Sequence, residues 1–471
     1  MSKKWYIIYA VAIVLLPLFL LMVVRLESPS EIIVPPGFYG ETAEVQDAFE
    51  ASLSANNRNN ITLKYPTDGE YRSAFVMNNL DSDSDEEVIV FYTLKSDEST
   101  VRMNVLDKIE DKWQSVYDEP GYGSEVISVV FDDLNKDGDT EIICSWSLYE
   151  SQSSKVMTIH SAHTEKAKPI ELKTLVSQSY SFSGLADFDS DGFDEILIIW
   201  TDSSNVSNVG AVLPKTSAIL LKMTEDDTIS PLGQPVTMDS SVSAYGDMHL
   251  QTSKDSDRLI AFLDAYKGED TMITEVLWWD PVKYTLVAPF FDPVTLSNTA
   301  TLRSPAVPAS DIDEDGTIEI PVNWQNTALE QGPITPDDDS GSMQQVGKQV
   351  NLTTWMNVVQ GGLVPKSYSF INCTAGYSFT VPNKTAESLV AYTTDTGVMT
   401  IYTSTDGVAY DEPLFSLVMK KRDEITEKDT YTFKRTSDDY VVFGTLTGAG
   451  ESFGFTNELI NKSIVIYDKG V

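Results

Sequence analysis

Short apolar runs rich in β-branched and aromatic residues recur along this chain, each entered from an acidic stretch. Residues 88–92 (Val-Ile-Val-Phe-Tyr), 142–146 (Ile-Ile-Cys-Ser-Trp), 196–200 (Ile-Leu-Ile-Ile-Trp) and 318–322 (Ile-Glu-Ile-Pro-Val) are the clearest. Runs of this length and composition, bounded by turn residues, predict strands. Between Glu141 and Asp187 the pattern predicts four of them, near 142–148, 155–160, 170–176 and 179–185. The N-terminal pattern is different. Residues 5–24, from Trp5 to Val24, carry no charge and match the length of a membrane-spanning helix. Residues 25–41, with Pro29, Pro35 and Pro36, read as an extended tether. Thr42 is expected to cap a short helix over 42–56 whose apolar face is Val45, Ala48, Phe49 and Leu53. That helix should pack on the β domain of residues 60–471.

The acidic stretches share one nine-residue phrase. Its copies are Asn79-Leu-Asp81-Ser-Asp83-Ser84-Asp85-Glu-Glu87, Asp133-Leu-Asn135-Lys-Asp137-Gly138-Asp139-Thr-Glu141, Asp187-Phe-Asp189-Ser-Asp191-Gly192-Phe193-Asp-Glu195 and Asp311-Ile-Asp313-Glu-Asp315-Gly316-Thr317-Ile-Glu319. Oxygen side chains fall at positions 1, 3, 5 and 9, and the residue at position 7 offers its carbonyl. A hard cation seeking six to eight oxygens suits this spacing. Without one, several carboxylates would be crowded together and repel. Asp, Asn and Gly also favour ordinary turns, but four copies in phase point to Ca²⁺, at three to four sites. The loop is not an EF-hand. Position 12, where that motif needs a bidentate Glu, is Val90, Cys144, Ile198 or Val322.

Spacing predicts the architecture. First ligands at 79, 133 and 187 lie 54 residues apart twice, and the next, at 311, comes 124 later. The gap leaves room for a decayed unit, met by Asp247 to Asp257 followed by an apolar run at 259–263. There Leu250, Thr252 and Lys254 take positions 1, 3 and 5, so this unit should bind no ion. Runs at 388–392 and 440–443 suggest two further decayed units. The chain is therefore expected to be all-β, a β-propeller of seven four-stranded blades, with six and eight left open.

The repeated Asp-x-Asp/Asn-x-Asp-Gly-x-x-Asp/Glu loop entering a strand resembles the FG-GAP and VCBS repeats, which include the integrin α-subunit propeller and many bacterial surface proteins. Phe-Gly and Gly-Ala-Pro signatures are not evident, which makes the bacterial VCBS-like branch the better match. The first loop departs from the pattern at Asn79 and Ser84. The resemblance implies a calcium-bearing propeller outside the cell, used for adhesion or ligand binding. It does not imply one activity.

Charge fits export and excludes a class of partner. The formal net charge is −38, from 71 acidic and 33 basic residues, and so acidic a chain is unsuited to nucleic acid. Lys3 and Lys4 ahead of the apolar segment place residues 1–4 in the cytoplasm and the remainder outside a single-pass cell-membrane anchor. Met22-Val-Val-Arg25-Leu-Glu27 offers no small-x-small cleavage site, which favours an uncleaved anchor over a secretory signal. Cys144 and Cys373 read as separate thiols rather than a disulfide. His160, His163 and His249 read as packed or solvated, not as ligands or catalysts. Ser404-Thr-Asp406-Gly407 reads as a hairpin turn, and Trp278-Trp279 and Phe290-Phe291 as core rather than platform. Residues 325–348 form the main irregular insertion. No nucleophile elbow, Walker loop, dinucleotide fingerprint or zinc-protease motif is present. The reading is a membrane-tethered propeller that binds a protein or glycan ligand without catalysis. The alternative is a polysaccharide hydrolase or lyase, signalled by Lys or Arg clustered near a Tyr/His pair.

Overall fold

The computed structural model describes residues 41–54, 57, 60–81, 83–147, 155–163, 170–201, 216–254, 256–323, 334–336, 343–345, 347–405 and 408–467. Two compact units divide the chain. Unit 1 runs to Tyr180 and takes in Lys222–Ser230, and unit 2 holds the remainder from Ser181. Among the described residues no helix is long and apolar enough to cross a membrane. The span expected at residues 5–24 and most of the tether lie outside them.

Unit 1 opens with α1, Glu41–Ser52, so Thr42 lies inside the first turn instead of capping it, and the helix stops short of residue 56. Its apolar face is as expected: Val45, Phe49 and Leu53 are buried, with Ala48 packed beside them. They cover a sheet of β1 (Ile61–Lys64), β2 (Phe75–Asn78), β3 (Glu87–Leu94), β4 (Asp97–Ile109) and β5 (Lys112–Pro120), in which β1 and β2 both pair with β3. The Phe49 ring meets Tyr92 and Phe75 edge-on at 5.2 and 6.1 Å between centroids. A second sheet follows as an antiparallel meander, β6 (Glu125–Asp132), β7 (Glu141–Ser147), β8 (Lys155–His163) and β9 (Glu171–Tyr180).

Strand β3 explains why the run after each loop is apolar throughout instead of alternating. Successive side chains point to opposite faces, and both faces are covered. Val88, Val90 and Tyr92 lie under α1. Ile89 and Phe91 pack with Val126, Val129, Cys144 and Trp146 of the second sheet.

Unit 2 repeats the plan. Its first four-stranded set is β10 (Phe182–Ala186), β11 (Glu195–Trp200), β12 (Ser217–Met223) and β13 (Ile229–Thr237). The next is β14 (Ala244–Thr252), β15 (Leu259–Tyr266), β16 (Met272–Asp280) and β17 (Thr285–Val287). One parallel contact, Gln234 against Thr285, joins the sets into an eight-stranded sheet. Leu197 and Ile199 share a cluster with Ala261, Leu263 and Trp279, whereas Ile260, Phe262 and Trp278 pack with Ile320 of β18 (Ile320–Asn323). Trp278 and Trp279 are therefore core on opposite faces. Strands β19 (Ile334–Pro336) and β20 (Met343–Gln345) pair within the expected insertion, most of which lies outside the described residues.

Strands β21 (Lys348–Val350), β22 (Leu352–Val359), β23 (Gly362–Asn372), β24 (Tyr377–Val381), β25 (Leu389–Thr393), β26 (Met399–Thr405), β27 (Val408–Lys421), β28 (Phe433–Thr436) and β29 (Tyr440–Leu446) complete the sheets, with α2 (Gly448–Phe453), α3 (Asn457–Ser463) and β30 (Ile464–Ile466). The orders are β18-β22-β23-β24-β30 and β21-β25-β26-β27-β29-β28. Strands form where the decayed units were expected. However, β25 and β29 lie in one six-stranded sheet, because β27 pairs directly with β29. The phase of the sheets also differs from expectation by one strand. The segment at 179–185 is divided between β9 and β10, and the strands ahead of the second and third loops, β6 and β10, open the new sheets. Cys144 and Cys373 are both free thiols.

Candidate cation loops

Each acidic phrase turns the chain back on itself into a sheet strand, joining β2 to β3, β6 to β7 and β10 to β11 and, in the fourth copy, leading from Ser310 into β18, and its ninth residue pins the join. Glu87 pairs with Asn78, Glu141 with Asp132 and Glu195 with Ala186, and Glu319 bridges Ser310. All four glutamates are fully buried. One carboxylate oxygen of each accepts the backbone N–H of position 2: Leu80 at 2.7 Å, Leu134 at 2.9 Å, Phe188 at 2.9 Å and Ile312 at 3.1 Å. Leu80, Leu134 and Phe188 are themselves buried, so an apolar plug holds the loop down while the glutamate ties its backbone.

The acids at positions 1 and 5 shape the rest. In the second, third and fourth loops the position-1 carboxylate accepts the N–H groups of positions 5 and 6, for example Asp137 and Gly138 on Asp133, both at 3.1 Å. The position-5 carboxylate accepts the N–H of position 7 in all four, from Asp85, Asp139, Phe193 and Thr317 at 2.7–3.1 Å. Position 6 has φ of 100° at Gly138, 94° at Gly192 and 81° at Gly316. A Cβ at Gly192 or Gly316 would meet no neighbour, so the backbone angle and not space calls for glycine. The first loop departs here too: the Asn79 amide donates to the Asp83 carbonyl.

Carboxylate oxygens of Asp81, Asp83 and Glu87 lie within 4.8 Å of one another, as do those of Asp187, Asp189 and Glu195, and of Asp311, Asp313 and Asp315. In the second loop Asn135 stands between Asp133 and Asp137, and its amide donates to Asp137 and to Asp227 at 3.0 Å each. The remaining oxygens differ between loops. Glu87 Oε1, Glu141 Oε1 and Asn79 Oδ1 are buried without a hydrogen-bond partner. Burial, reinforced by the neighbouring loop carboxylates, pushes Glu87 and Glu141 up to about 8 against the pull of their backbone bonds. Buried oxygens of this kind, ringed by further oxygens, fit a hard divalent cation.

In the fourth loop that place is filled by the protein. The Lys366 ammonium donates to Asp313 at 2.6 Å, Asp315 at 2.9 Å and Glu319 Oε1 at 2.9 Å. Lys254 stands alongside, 3.2 Å from Thr317 Oγ1 and 3.4 Å from the Asp315 carbonyl. Lys254 comes from the unit expected to bind nothing. There β14 runs through Leu250 and Thr252, and Thr252 pairs with Leu259, so the long loop is gone.

Sequence reasoning missed Lys366, Asp227 and Asp107, and placed Lys254 only in its own decayed unit, whereas all four come to a loop from another strand or turn. Asp107, on β4, is buried beside the first loop and helps raise Asp81 and Glu87. No local signal marks these residues, because strand pairing alone brings them in. The side chain of His163 lies outside those described. His160 is buried, with Thr158 and Thr174 hydroxyls at 2.9 and 3.0 Å from its two nitrogens. It borders a cavity of about 420 Å³ in unit 1, also lined by Tyr117, Glu119, Tyr122, Trp146 and Lys173.

No family model and no curated protein matches the chain. Among solved structures it is similar to a protein from Lactobacillus plantarum at 10% identity and a TM-score of 0.27, covering 73% of this chain and 91% of that one. It is similar to Sqt1 from Saccharomyces cerevisiae at 11% and 0.29, covering 83% and 99%. A levansucrase variant from B. megaterium follows at 12% and 0.24, covering 70% and 87%. Scores this low carry no argument about fold or activity, and the likeness to FG-GAP and VCBS repeats rests on the loops.

Proposed function

We propose that this protein is a calcium-stiffened β-propeller, held outside the cell by an uncleaved N-terminal membrane anchor, that binds a protein or glycan ligand without catalysis. The propeller reading is supported by consecutive antiparallel sheets that pack face to face through alternate sides of their strands. The observation that carries calcium is the pair of orphaned, fully buried oxygens, Glu87 Oε1 and Glu141 Oε1. Removing a buried carboxylate oxygen from water without a partner is unfavourable, and a divalent cation offsets that cost. Loops one, two and three are the proposed sites. The ligands would be the side chains of Asn79, Asp81, Asp83 and Glu87, of Asp133, Asn135, Asp137 and Glu141, and of Asp187, Asp189, Asp191 and Glu195. The position-7 residues Asp85, Asp139 and Phe193 would serve by their carbonyls. Bound calcium would neutralise carboxylates that otherwise repel, and so stiffen the hairpin that each of these loops closes.

One observation bears on the alternative of a uronate lyase. The cavity in unit 1 sets Tyr117, His160 and Lys173 together. Both nitrogens of His160 are engaged by threonine hydroxyls, and burial pulls it down to about 4, which makes it a neutral but weak base with no nitrogen turned to a substrate. Binding without catalysis is the better-supported reading.

The test is calorimetric titration of the full chain in detergent after chelation. Three Ca²⁺ per chain are expected, with dissociation constants of roughly 10⁻⁴–10⁻³ M, and Glu141→Gln should remove one. At ten times the dissociation constant each ion adds about 1.4 kcal/mol to the folded state, so EDTA should lower the melting temperature. A chelated chain that takes up no calcium would end this reading of the loops.

A further inference from the structure

The fourth loop carries the same backbone frame as the second, yet its ninth-position glutamate is not left with an orphaned oxygen. The atom that is unpartnered in Glu87 and Glu141 accepts, in Glu319, the ammonium of Lys366. We propose that Lys366 is a built-in counter-cation of the fourth loop, occupying the ion's place so that this loop takes no calcium from solution. The inference rests on reading the loops as cation sites, and assigns to Lys366 the discrimination between them.

Three features of the chain produce the arrangement. Strand β22 pairs with both β18 and β23, setting Met356 opposite Ile320 on one side and Pro365 on the other. The register between β22 and β23 slips at this point, with Trp355 opposite Ser367 and Met356 opposite Pro365. Lys366 is thus the extra residue of a β-bulge, a device that re-aims a side chain. Its ammonium then reaches Asp313, Asp315 and Glu319 together, with only 17% of the side chain exposed. Charge also balances. Lys254 lies 4.0 Å from the Asp315 carboxylate, so the two lysines bring the same double positive charge as one calcium ion. In the first loop, by contrast, the Lys108 ammonium reaches Asp85 at 3.4 Å, and Glu87 Oε1 has no hydrogen-bond partner.

The consequence is a division of labour. Three loops are completed by an ion and follow the calcium outside the cell, whereas the fourth is completed by the chain and is closed at any calcium level. Neutralising Lys366 should convert it into a calcium site.

The experiment counts ions on the full chain by calcium titration, with terbium luminescence as a second readout. Lys366→Met should bind one Ca²⁺ more than wild type, and Lys366→Arg, which keeps the charge, should bind the wild-type number. Adding Asp313→Ala to Lys366→Met should abolish the gain. Asp313→Ala in the wild-type background supplies an arm that does not depend on Lys366→Met folding, and it should leave the count unchanged. Loss of one ion from Asp313→Ala alone, or equal counts for wild type and Lys366→Met, would overturn the proposal. Failure of the broader calcium reading looks different: wild type then binds none. Even so, a single ion gained by Lys366→Met would still support Lys366 as the counter-cation, and none gained would reject it.

Discussion

A buried side chain in this protein is held in one protonation state by its neighbours, and His160 shows how that links stability to pH. Burial pulls its pKa down to about 4, while the hydroxyls of Thr158 and Thr174 flank its two ring nitrogens. Unfolded, the imidazole titrates near its ordinary value of about 6.5. Between those values the unfolded chain binds the extra proton, so stability is complete above about pH 6.5 and falls as pH drops toward 4. From pH 7 to pH 5 this one group should cost roughly 2 kcal/mol. His160→Phe should show a smaller fall in melting temperature over that interval than wild type, in the same chelator. Equal falls in the two proteins would show that His160 is not the sensor. Residues that act through near neighbours in sequence were legible beforehand. The loop acids at positions 1, 3, 5 and 9 close on their own backbone, so their spacing alone announces them. Lys366 was not legible, because it stands 47 positions beyond Glu319 and reaches it only through two strand pairings and a bulge.

Elements follow the same division between local and distant cause. The strands after the loops were evident from their apolar runs, and α1 from the spacing of Val45, Phe49 and Leu53. Sheet boundaries were not, since the period of 54 residues measures the recurrence of a hairpin loop and says nothing of which strand pairs with which. The second and third loops join the first strand of a sheet to its second, so the strand ahead of each opens the new sheet. Likewise, the apolar run of β29 signals a strand, but only its pairing with β27 puts it in the sheet of β25. Helix α1 has a definite task at this scale. It covers Val88, Val90, Tyr92 and Leu106, the outer face of the first sheet. Phe49 is its anchor, 1% exposed and set edge-on against two rings. Phe49→Ala should destabilise unit 1 by about 3–5 kcal/mol through lost transfer energy and the cavity left behind. Thermal denaturation would register this, together with new binding of an apolar dye to the uncovered face. A variant that melts with wild type would mean that the first sheet is stable without its helix.

For the whole molecule, the net charge of −38 and the uncharged stretch of residues 5–24 lead to one prediction. Charge of one sign in this excess makes a chain repel itself, and cations of the kind proposed for the loops would relieve part of that repulsion. Sites of the proposed strength would stand mostly empty at sub-micromolar cytosolic calcium and mostly filled at millimolar calcium outside the cell. The loops therefore have a use on the side of the membrane to which Lys3, Lys4 and the uncharged residues 5–24 would deliver them. Protease added to intact cells should digest the β domain or release it at the proline-containing stretch of residues 27–40. Release should be faster in EDTA, because removing the proposed ions would loosen the loop hairpins. Mass spectrometry of the membrane fraction should still find the peptide of residues 1–26. A membrane-bound chain that begins after residue 20 would replace the anchor with a cleaved signal. Complete protection of the β domain would place it in the cytoplasm, where loops of this affinity have no calcium to hold.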